Sequence, residues 1–248
     1  MRLSLFRSKA SVTHAEAIEY LSREVQRTMG SSLAKLVLYG RIAAGKAGEG
    51  SDIDMAAIHF GEARTVLQKV SDIALETAPR YGEVIECIPI SVHGFRTGAR
   101  RSFLREVGRG RVLFEMDEKE AITQEARGYL MLAGQYRSYA KGALERGENR
   151  AAIDLGYNGA ELLVKALIPA RGGALTQTHG VLLQQLGRMY VRGGILGRSV
   201  GAELHNALIL RSKARYDPTT HLVREEAEDV LRLIETLATA LSRELPTR

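Results

Sequence analysis

The hydrophobic positions of the chain follow different spacings in its two halves. In the first half, short apolar runs of strand length alternate with stretches that have helical spacing. The runs that predict extended structure are residues 33–39, 53–60, 83–90 and 111–115. The stretches that predict helices are residues 13–30, 62–78 and 96–107. The first opens with the capping-box pair Thr13 and Glu16, and the second ends before Pro79. This alternation predicts a small domain built around one sheet.

The second half shows only helical spacing from about Glu118 onward. The predicted amphipathic helices are residues 120–144, 148–167, 178–191, 199–213 and 223–245. Because the connections between them are short, they predict an antiparallel helical bundle. We therefore predict an α+β protein, with an N-terminal mixed-sheet domain at residues 1–117 and an all-α antiparallel bundle at residues 118–248.

Composition and charge narrow the classes of protein that fit this pattern. The chain has 248 residues and a net charge of +6, which favours an anionic ligand such as a nucleotide or RNA. Its one cysteine, Cys87, excludes an internal disulfide and a cysteine-rich zinc site. No apolar run approaches the ~18 residues of a membrane span, and the N-terminal apolar stretch is too short for a secretory signal. We therefore expect a cytoplasmic protein without a membrane partner.

The segment LYGRIAAGKAGEGSDIDMAAI, residues 38–58, carries the strongest chemical signal. Asp52 and Asp54 lie two positions apart, so an extended strand would place both carboxylates on one face. Two such carboxylates repel each other unless a cation lies between them, and Mg²⁺ prefers carboxylate oxygens together with substrate phosphates. The glycines of the preceding loop would let its backbone N–H groups face those phosphates. A surface turn that starts the strand is the alternative interpretation of the same residues.

The order and spacing of these residues resemble the DNA polymerase β-like nucleotidyltransferases, in particular the minimal nucleotidyltransferases. The hallmark of that family is an apolar strand, Gly-Ser, ten residues and Asp-x-Asp. Here VLYG ends at Gly40, residue 41 follows, and ten more residues lead to Asp52-Ile53-Asp54. The resemblance covers most of residues 10–115 and implies that Asp52 and Asp54 are catalytic and hold Mg²⁺. The family's third carboxylate lies on a later strand, which implies Glu86 of VIECIPI as the third metal ligand, with Glu83 as a weaker candidate.

One residue departs from the pattern of that family. Arg41 stands where the family has a serine that helps to hold the β- and γ-phosphates of the nucleotide. An arginine also binds phosphate through charge-assisted hydrogen bonds, but its side chain is much longer. We predict that Gly40, Arg41, Lys46 and Ser51 contact a nucleoside triphosphate, with ATP as the expected nucleotide. The alternative is a fold that has kept its shape and lost catalysis.

An arginine-rich segment follows the third predicted strand. Residues 95–111 contain one acid, Glu106, and the arginines Arg96, Arg100, Arg101, Arg105, Arg109 and Arg111. On a helix, residues four positions apart share a face, so pairs of these arginines would lie together. The segment predicts an electropositive rim for a triphosphate or for an RNA or protein acceptor. A solvated helix face is the alternative.

The helical half contains the segments AIDLGYNGAELLVKALI, THGVLLQQLGRMYVRGG, LHNALILRSKARYDP and EEAEDVLRLIETLATAL. With these segments, residues 120–245 resemble HEPN domains. These bundles associate with nucleotides or RNA and are often fused to, or encoded beside, minimal nucleotidyltransferases. The closest subgroup has a histidine that matches His179 and an element that matches residues 211–216, although Arg215 stands where that element has an acid. HEPN ribonucleases use an arginine, four to six residues, and a histidine, which Arg215 and His221 match formally. Because Asp217 and Pro218 should end the helix between them, we expect these two side chains not to lie on adjacent helical turns.

The resemblances lead to three hypotheses from different classes. The first is a Mg²⁺-dependent nucleotidyltransferase that moves AMP from ATP to a hydroxyl of a protein, an RNA or a small molecule, in a toxin–antitoxin-like setting. In it, Glu86 completes the metal site and helps to deprotonate the acceptor. The second is a non-catalytic nucleotide- or RNA-binding module, and the third is a HEPN ribonuclease. HEPN bundles commonly pair through their helices, which implies a homodimer, with Tyr157, Arg211 and Tyr216 as bundle or interface residues.

Overall fold

The computed structural model describes residues 4–48, 50–97, 101–173 and 179–246. The chain divides into two compact units, Met1–Ala121 and Ile122–Arg248. Within the described residues, no helix is long and apolar enough to cross a membrane.

A four-stranded mixed sheet forms the centre of the first unit. Its strands are β1 (Leu33–Tyr39), β2 (Ile53–His59), β3 (Ile85–Ser91) and β4 (Arg111–Glu115). Their order across the sheet is β3-β2-β1-β4; β1 runs antiparallel to both β2 and β4, whereas β2 and β3 are parallel. The predicted strands are confirmed, with small shifts at the ends of β2 and β3.

The helices of the first unit differ from the predicted ones at their ends. They are α1 (Ser4–Met29), α2 (Gly40–Ala43), α3 (Ala63–Tyr81), α4 (Val92–Thr97) and α5 (Arg101–Gly108). The predicted start at Thr13 is wrong, because α1 begins at Ser4 and a capping-box spacing also occurs inside helices. The single helix predicted at residues 96–107 corresponds to α4 and α5, and Arg100 lies outside the described residues.

The prediction that α3 ends before Pro79 is also wrong. The helix continues to Tyr81 and ends at Gly82, whose φ of 67° is the left-handed conformation typical of a helix end. A proline removes one intrahelical hydrogen bond, here the bond that would reach the carbonyl of Leu75. Leu75 is 73% exposed, so water can satisfy that carbonyl and the last turn stays helical.

The two faces of the sheet pack against different helices because alternate strand residues point to opposite sides. On one face, Leu36 and Met55 belong to a core that includes side chains of α1 and α3. On the other face, Val37, Tyr39 and Ala56 pack with Val107 of α5. Val107 is 1% exposed, so it anchors α5 to the sheet.

The second unit is helical. It contains most of α6 (Glu118–Glu145), then α7 (Asn149–Ala170), α8 (His179–Leu186), a π-helical turn (Gly187–Val191), α9 (Val200–Tyr216) and α10 (Arg224–Glu244). These elements confirm the predicted helical second half. Close approach of α7 to α10 is visible at Gly156, where a Cβ atom would lie 2.7 Å from Cγ1 of Val230.

Candidate functional site

Three polar side chains occupy neighbouring positions on three adjacent strands. Tyr39 of β1 pairs in register with Asp54 of β2, and Asp54 pairs in register with Glu86 of β3. Residues that are directly opposite on neighbouring strands point to the same face of the sheet. Tyr39 is buried, Asp54 is half-buried and Glu86 is exposed, so this row leads from the core to solvent. The register therefore brings together two of the three predicted metal ligands, Asp54 and Glu86.

The loop after β1 lies tightly against Asp54. Gly40 has a φ of 73°, and a Cβ atom at this position would lie 2.2 Å from Oδ2 of Asp54. Only a glycine combines this left-handed backbone with so close an approach. The predicted nucleotide contact at Gly40 therefore stands beside the predicted catalytic carboxylate.

Negative charge accumulates around Asp54. Burial raises the pKa of Asp54, and the charges of Glu86, Asp52 and Glu106 raise it further, while Arg41 acts in the opposite direction. Burial also raises the pKa of Tyr39, with the charges of Glu86 and Asp54 as the next causes. Neighbouring carboxylates repel each other, and a cation between them compensates that repulsion. Asp54 and Glu86 are therefore the residues that could hold a cation here.

Glu106 is the acidic residue that the strand pattern did not point to. It lies on α5, and its charge raises the pKa of both Asp54 and Tyr39. Sequence spacing offers no signal for this proximity, because α5 and β2 are far apart along the chain. Its position as the one acid among the arginines of residues 95–111 is the feature that could have marked it.

A cleft of about 580 Å³ opens between α2 and α5. Its lining comprises Gly40, Ala43, Ala44, Ser102, Arg105, Glu106, Arg109 and Gly110. Arg105 and Arg109, which belong to the predicted electropositive rim, thus line this cleft. Gly40 lines it as well, and Gly40 also lies against Asp54. The side chain of Arg101 lies outside the described residues.

The loop between β1 and β2 uses many of its own backbone donors. The N–H groups of Ala44, Gly45 and Lys46 donate to carbonyls at residues 40, 42 and 41, over 2.9–3.1 Å. The N–H of Gly48 donates to Oγ of Ser51 over 2.9 Å, and Ser51 is 3% exposed. Gly45 and Gly48 therefore use their N–H groups within the loop, which differs from the expectation that they turn them to a ligand. Arg41 and Lys46 are exposed, and a nucleotide contact at Ser51 stays a prediction.

The structure sets two of the three predicted metal ligands side by side. Among residues 4–48, 50–97, 101–173 and 179–246, no group of three or more His, Cys, Asp or Glu side chains is arranged to hold a metal ion. Asp52 is exposed and precedes β2, whereas Asp54 and Glu86 stand side by side. Glu83, the weaker candidate, lies 2.8 Å from Nδ1 of His14.

A second polar cavity, of about 570 Å³, lies in the second unit. Its lining includes Arg150, Asp154, Arg215 and His221. Nε of Arg215 is 2.5 Å from Oδ1 of Asp154, and Nε of Arg211 is 3.8 Å from the same oxygen. The side chain of His179 lies outside the described residues.

Arg215 and His221 line the same cavity although, as predicted, they do not lie on adjacent helical turns. The helix does end between them, since α9 stops at Tyr216. However, Asp217 accepts hydrogen bonds from the N–H groups of Thr219 and Thr220, which turns the chain back. Arg150 donates to the carbonyl of Thr220 over 2.9 Å and holds the returning segment. As a result, both side chains line the same cavity.

Comparisons with known proteins identify the second unit. Residues 126–245 match the HEPN domain family, so this region is a HEPN domain. The chain is also similar to the crystal structure of TT1696 from Thermus thermophilus, with 24% identity and a TM-score of 0.42 over 48% of this chain and 98% of that chain. No curated protein matches the chain at a significant level. The nucleotidyltransferase resemblance of the first unit stays a prediction.

Proposed function

We propose that the first unit is a Mg²⁺-dependent nucleotidyltransferase that transfers AMP from ATP to an acceptor hydroxyl on a protein, an RNA or a small molecule. The observation that carries this proposal is the pairing of Asp54 with Glu86 beneath a loop whose Gly40 lies against Asp54. This arrangement agrees with the spacing of the family motif, because the loop and both carboxylates lie at neighbouring strand ends.

The donor set suits Mg²⁺. Mg²⁺ is usually held by one or two carboxylates together with substrate phosphates and water, so a ready group of three protein ligands is not required. Asp54 and Glu86 would hold the ion and Asp52 would assist them. The ion, when bound, would supply charge that stabilises the leaving pyrophosphate.

The side chains of the protein supply the remaining chemistry. In the transfer, a bond forms between the acceptor oxygen and the α-phosphorus while the bond to the pyrophosphate oxygen breaks. The proton of the acceptor hydroxyl passes to a carboxylate, and exposed Glu86 is the candidate base. Arg41 would balance charge on the phosphates through charge-assisted hydrogen bonds. We further propose that two copies pair through their HEPN domains.

The test is transfer of label from ATP in the presence of Mg²⁺. Wild type is compared with the Asp52→Asn/Asp54→Asn double variant and with Asp72→Asn, which removes an exposed carboxylate of α3. We expect label on protein, RNA or small hydroxyl acceptors with wild type and Asp72→Asn, and a loss of at least about 100-fold in the double variant. Equal transfer by the double variant would refute the proposal. Nucleotide binding without Mg²⁺ and without transfer would favour the non-catalytic module.

A second candidate function, ribonuclease activity of the HEPN domain, is favoured by one observation. Arg215 and His221 line one cavity, and a cationic side chain beside a histidine can serve cleavage of a phosphodiester. RNA cleavage should fall by about 100-fold or more in Arg215→Ala and His221→Ala. His205→Ala, an exposed histidine of α9, is the matched control and should keep full activity.

A further inference from the structure

We propose that the cleft between α2 and α5 holds the polyphosphate of the nucleotide, with Arg105 and Arg109 as its anion-binding residues. This inference rests on the proposed function for its place in catalysis, but polyphosphate binding itself can be measured separately. It assigns a binding role to α5 and to the turn that follows it, which lie outside the motif that carries the family resemblance.

The position of the two arginines is built into the fold. They stand four residues apart, and the N–H of Arg109 donates to the carbonyl of Glu106 over 3.1 Å, which continues the turn of α5. Val107 is buried against the sheet. At Gly110 a Cβ atom would lie 2.4 Å from the carbonyl oxygen of Leu38, so the residue after Arg109 is pressed onto β1. Both arginines are therefore held along one wall of the cleft.

The other wall brings the cleft to the carboxylates. Gly40, Ala43 and Ala44 line it opposite α5, and Gly40 also lies against Asp54. Small residues on this wall leave room for an extended anion, and a volume of about 580 Å³ is within the usual range for ligand sites. An α-phosphate near Asp54 could thus continue into a β,γ-tail between the two walls.

The loop between β1 and β2 uses many of its own backbone donors, so side chains would be needed to bind the polyphosphate. The N–H groups of Ala44, Gly45 and Gly48 are engaged within the loop, and Arg41 replaces the serine of the family motif. Guanidinium groups bind phosphate oxygens in a bidentate manner and keep their charge at every physiological pH. Arg105 and Arg109 can therefore replace donors that the loop does not offer.

Glu106 gives the inference a distinctive consequence. Glu106 lines the same cleft, and its negative charge would repel a polyphosphate. Removing that charge in Glu106→Gln should strengthen polyphosphate binding, whereas an arginine helix without a binding role would show no such gain.

The experiment is calorimetric titration of the full-length protein with inorganic tripolyphosphate, with ATP and with AMP, in the absence of Mg²⁺. We expect tripolyphosphate and ATP to bind and AMP to bind much more weakly. Arg105→Gln and Arg109→Gln should each weaken binding of tripolyphosphate and ATP by about tenfold or more, since one charge-assisted contact is worth roughly that factor. Glu106→Gln should tighten it. Arg64→Gln, an exposed arginine of α3, should bind as wild type does.

The outcomes separate this inference from the proposed function. Tripolyphosphate binding that is absent in wild type, or unchanged in both arginine variants with native circular dichroism, would overturn the inference. Transfer that continues with an unchanged KM for ATP in an Arg105→Gln/Arg109→Gln variant would also overturn it and leave the transferase intact. Arginine-dependent tripolyphosphate binding without any nucleotidyl transfer would support the cleft and refute the transferase.

Discussion

Gly40 and Asp54 are in direct contact through the backbone of one and the carboxylate of the other. A Cβ atom at Gly40 would be 2.2 Å from Oδ2 and 3.1 Å from Cγ of Asp54. The side chain of Asp54 is therefore confined by the loop that carries Arg41. This contact couples the shape of the loop to the position of the carboxylate.

Gly40→Ala is expected to harm both stability and the proposed activity. The new methyl group must displace Asp54 or the loop, and alanine is also strained at a φ of 73°. We expect a loss of about 2–4 kcal/mol in the free energy of unfolding, measured with urea, and a fall in label transfer of at least about 100-fold.

Gly45→Ala is the matched control for that prediction. Gly45 has a φ of 68°, but nothing lies within 4 Å of a Cβ atom built there. It shares the backbone strain and lacks the contact, so a loss of only about 1–2 kcal/mol is expected. If the two variants unfold at the same urea concentration, the close approach of Gly40 to Asp54 does not add to the cost of the Gly40→Ala substitution.

Asp54→Asn is expected to stabilise the metal-free protein near neutral pH. Burial and the neighbouring carboxylates raise the pKa of Asp54, so the folded protein binds this proton more tightly than the unfolded chain does. The associated stability is present below the unfolded pKa of ~3.9 and is lost as the pH rises through the folded pKa. Asparagine has the same shape and no charge. The melting temperature of the Asp54→Asn variant at pH 7 should therefore exceed that of wild type by on the order of 2–4 °C.

The pH dependence supplies the check on that prediction. Thermal unfolding of wild type and Asp54→Asn is followed from pH 4 to pH 8 without divalent ions, with Asp72→Asn as the surface control. The advantage of Asp54→Asn should shrink as the pH falls toward 4. A variant that is less stable than wild type at pH 7 would show that the Asp54 carboxylate has a stabilising partner.

The positions of the strands could be predicted from the sequence, but the contacts among the side chains of the candidate site could not. Apolar runs predicted β1 and β2 because buried strands need continuous hydrophobic residues. The register that sets Asp54 beside Glu86, and the approach of Glu106, depend on pairing and packing between distant segments. Local signals misled at Thr13 and Pro79, since the same residues are tolerated inside a helix. Arg215 and His221 line one cavity through a turn that Arg150 contacts from another helix, and local spacing does not indicate such a contact.

Mg²⁺ is expected to raise the melting temperature of wild type more than that of Asp54→Asn. A ligand that binds the folded state alone stabilises it by about 2.7 kcal/mol at 100 times its Kd. Bound between Asp54 and Glu86, the ion would also relieve the repulsion that raises the pKa of Asp54. The measurement is thermal unfolding at increasing MgCl₂, with NaCl matched for ionic strength. Equal shifts in the two proteins would place any Mg²⁺ effect away from this pair.

Arg150 is expected to hold the segment that carries His221. Its guanidinium donates to the carbonyls of Lys213, Ala214 and Thr220 over 2.7–2.9 Å, across the end of α9. Arg150→Ala would leave these carbonyls without that donor and is expected to lower the free energy of unfolding by about 2–4 kcal/mol.

Hydrogen exchange distinguishes local support of the turn by Arg150 from the effect of simply removing one positive charge. In Arg150→Ala, exchange of the backbone N–H groups of Thr219 and Thr220 should become faster, because the turn that Asp217 caps would lose its support. Arg146→Ala is the control, since Arg146 is exposed and pairs with neighbouring Glu148, where such pairs are worth at most about 1 kcal/mol. If exchange at Thr219 and Thr220 is the same in both variants, the turn is held by Asp217 alone and Arg150 does not position His221.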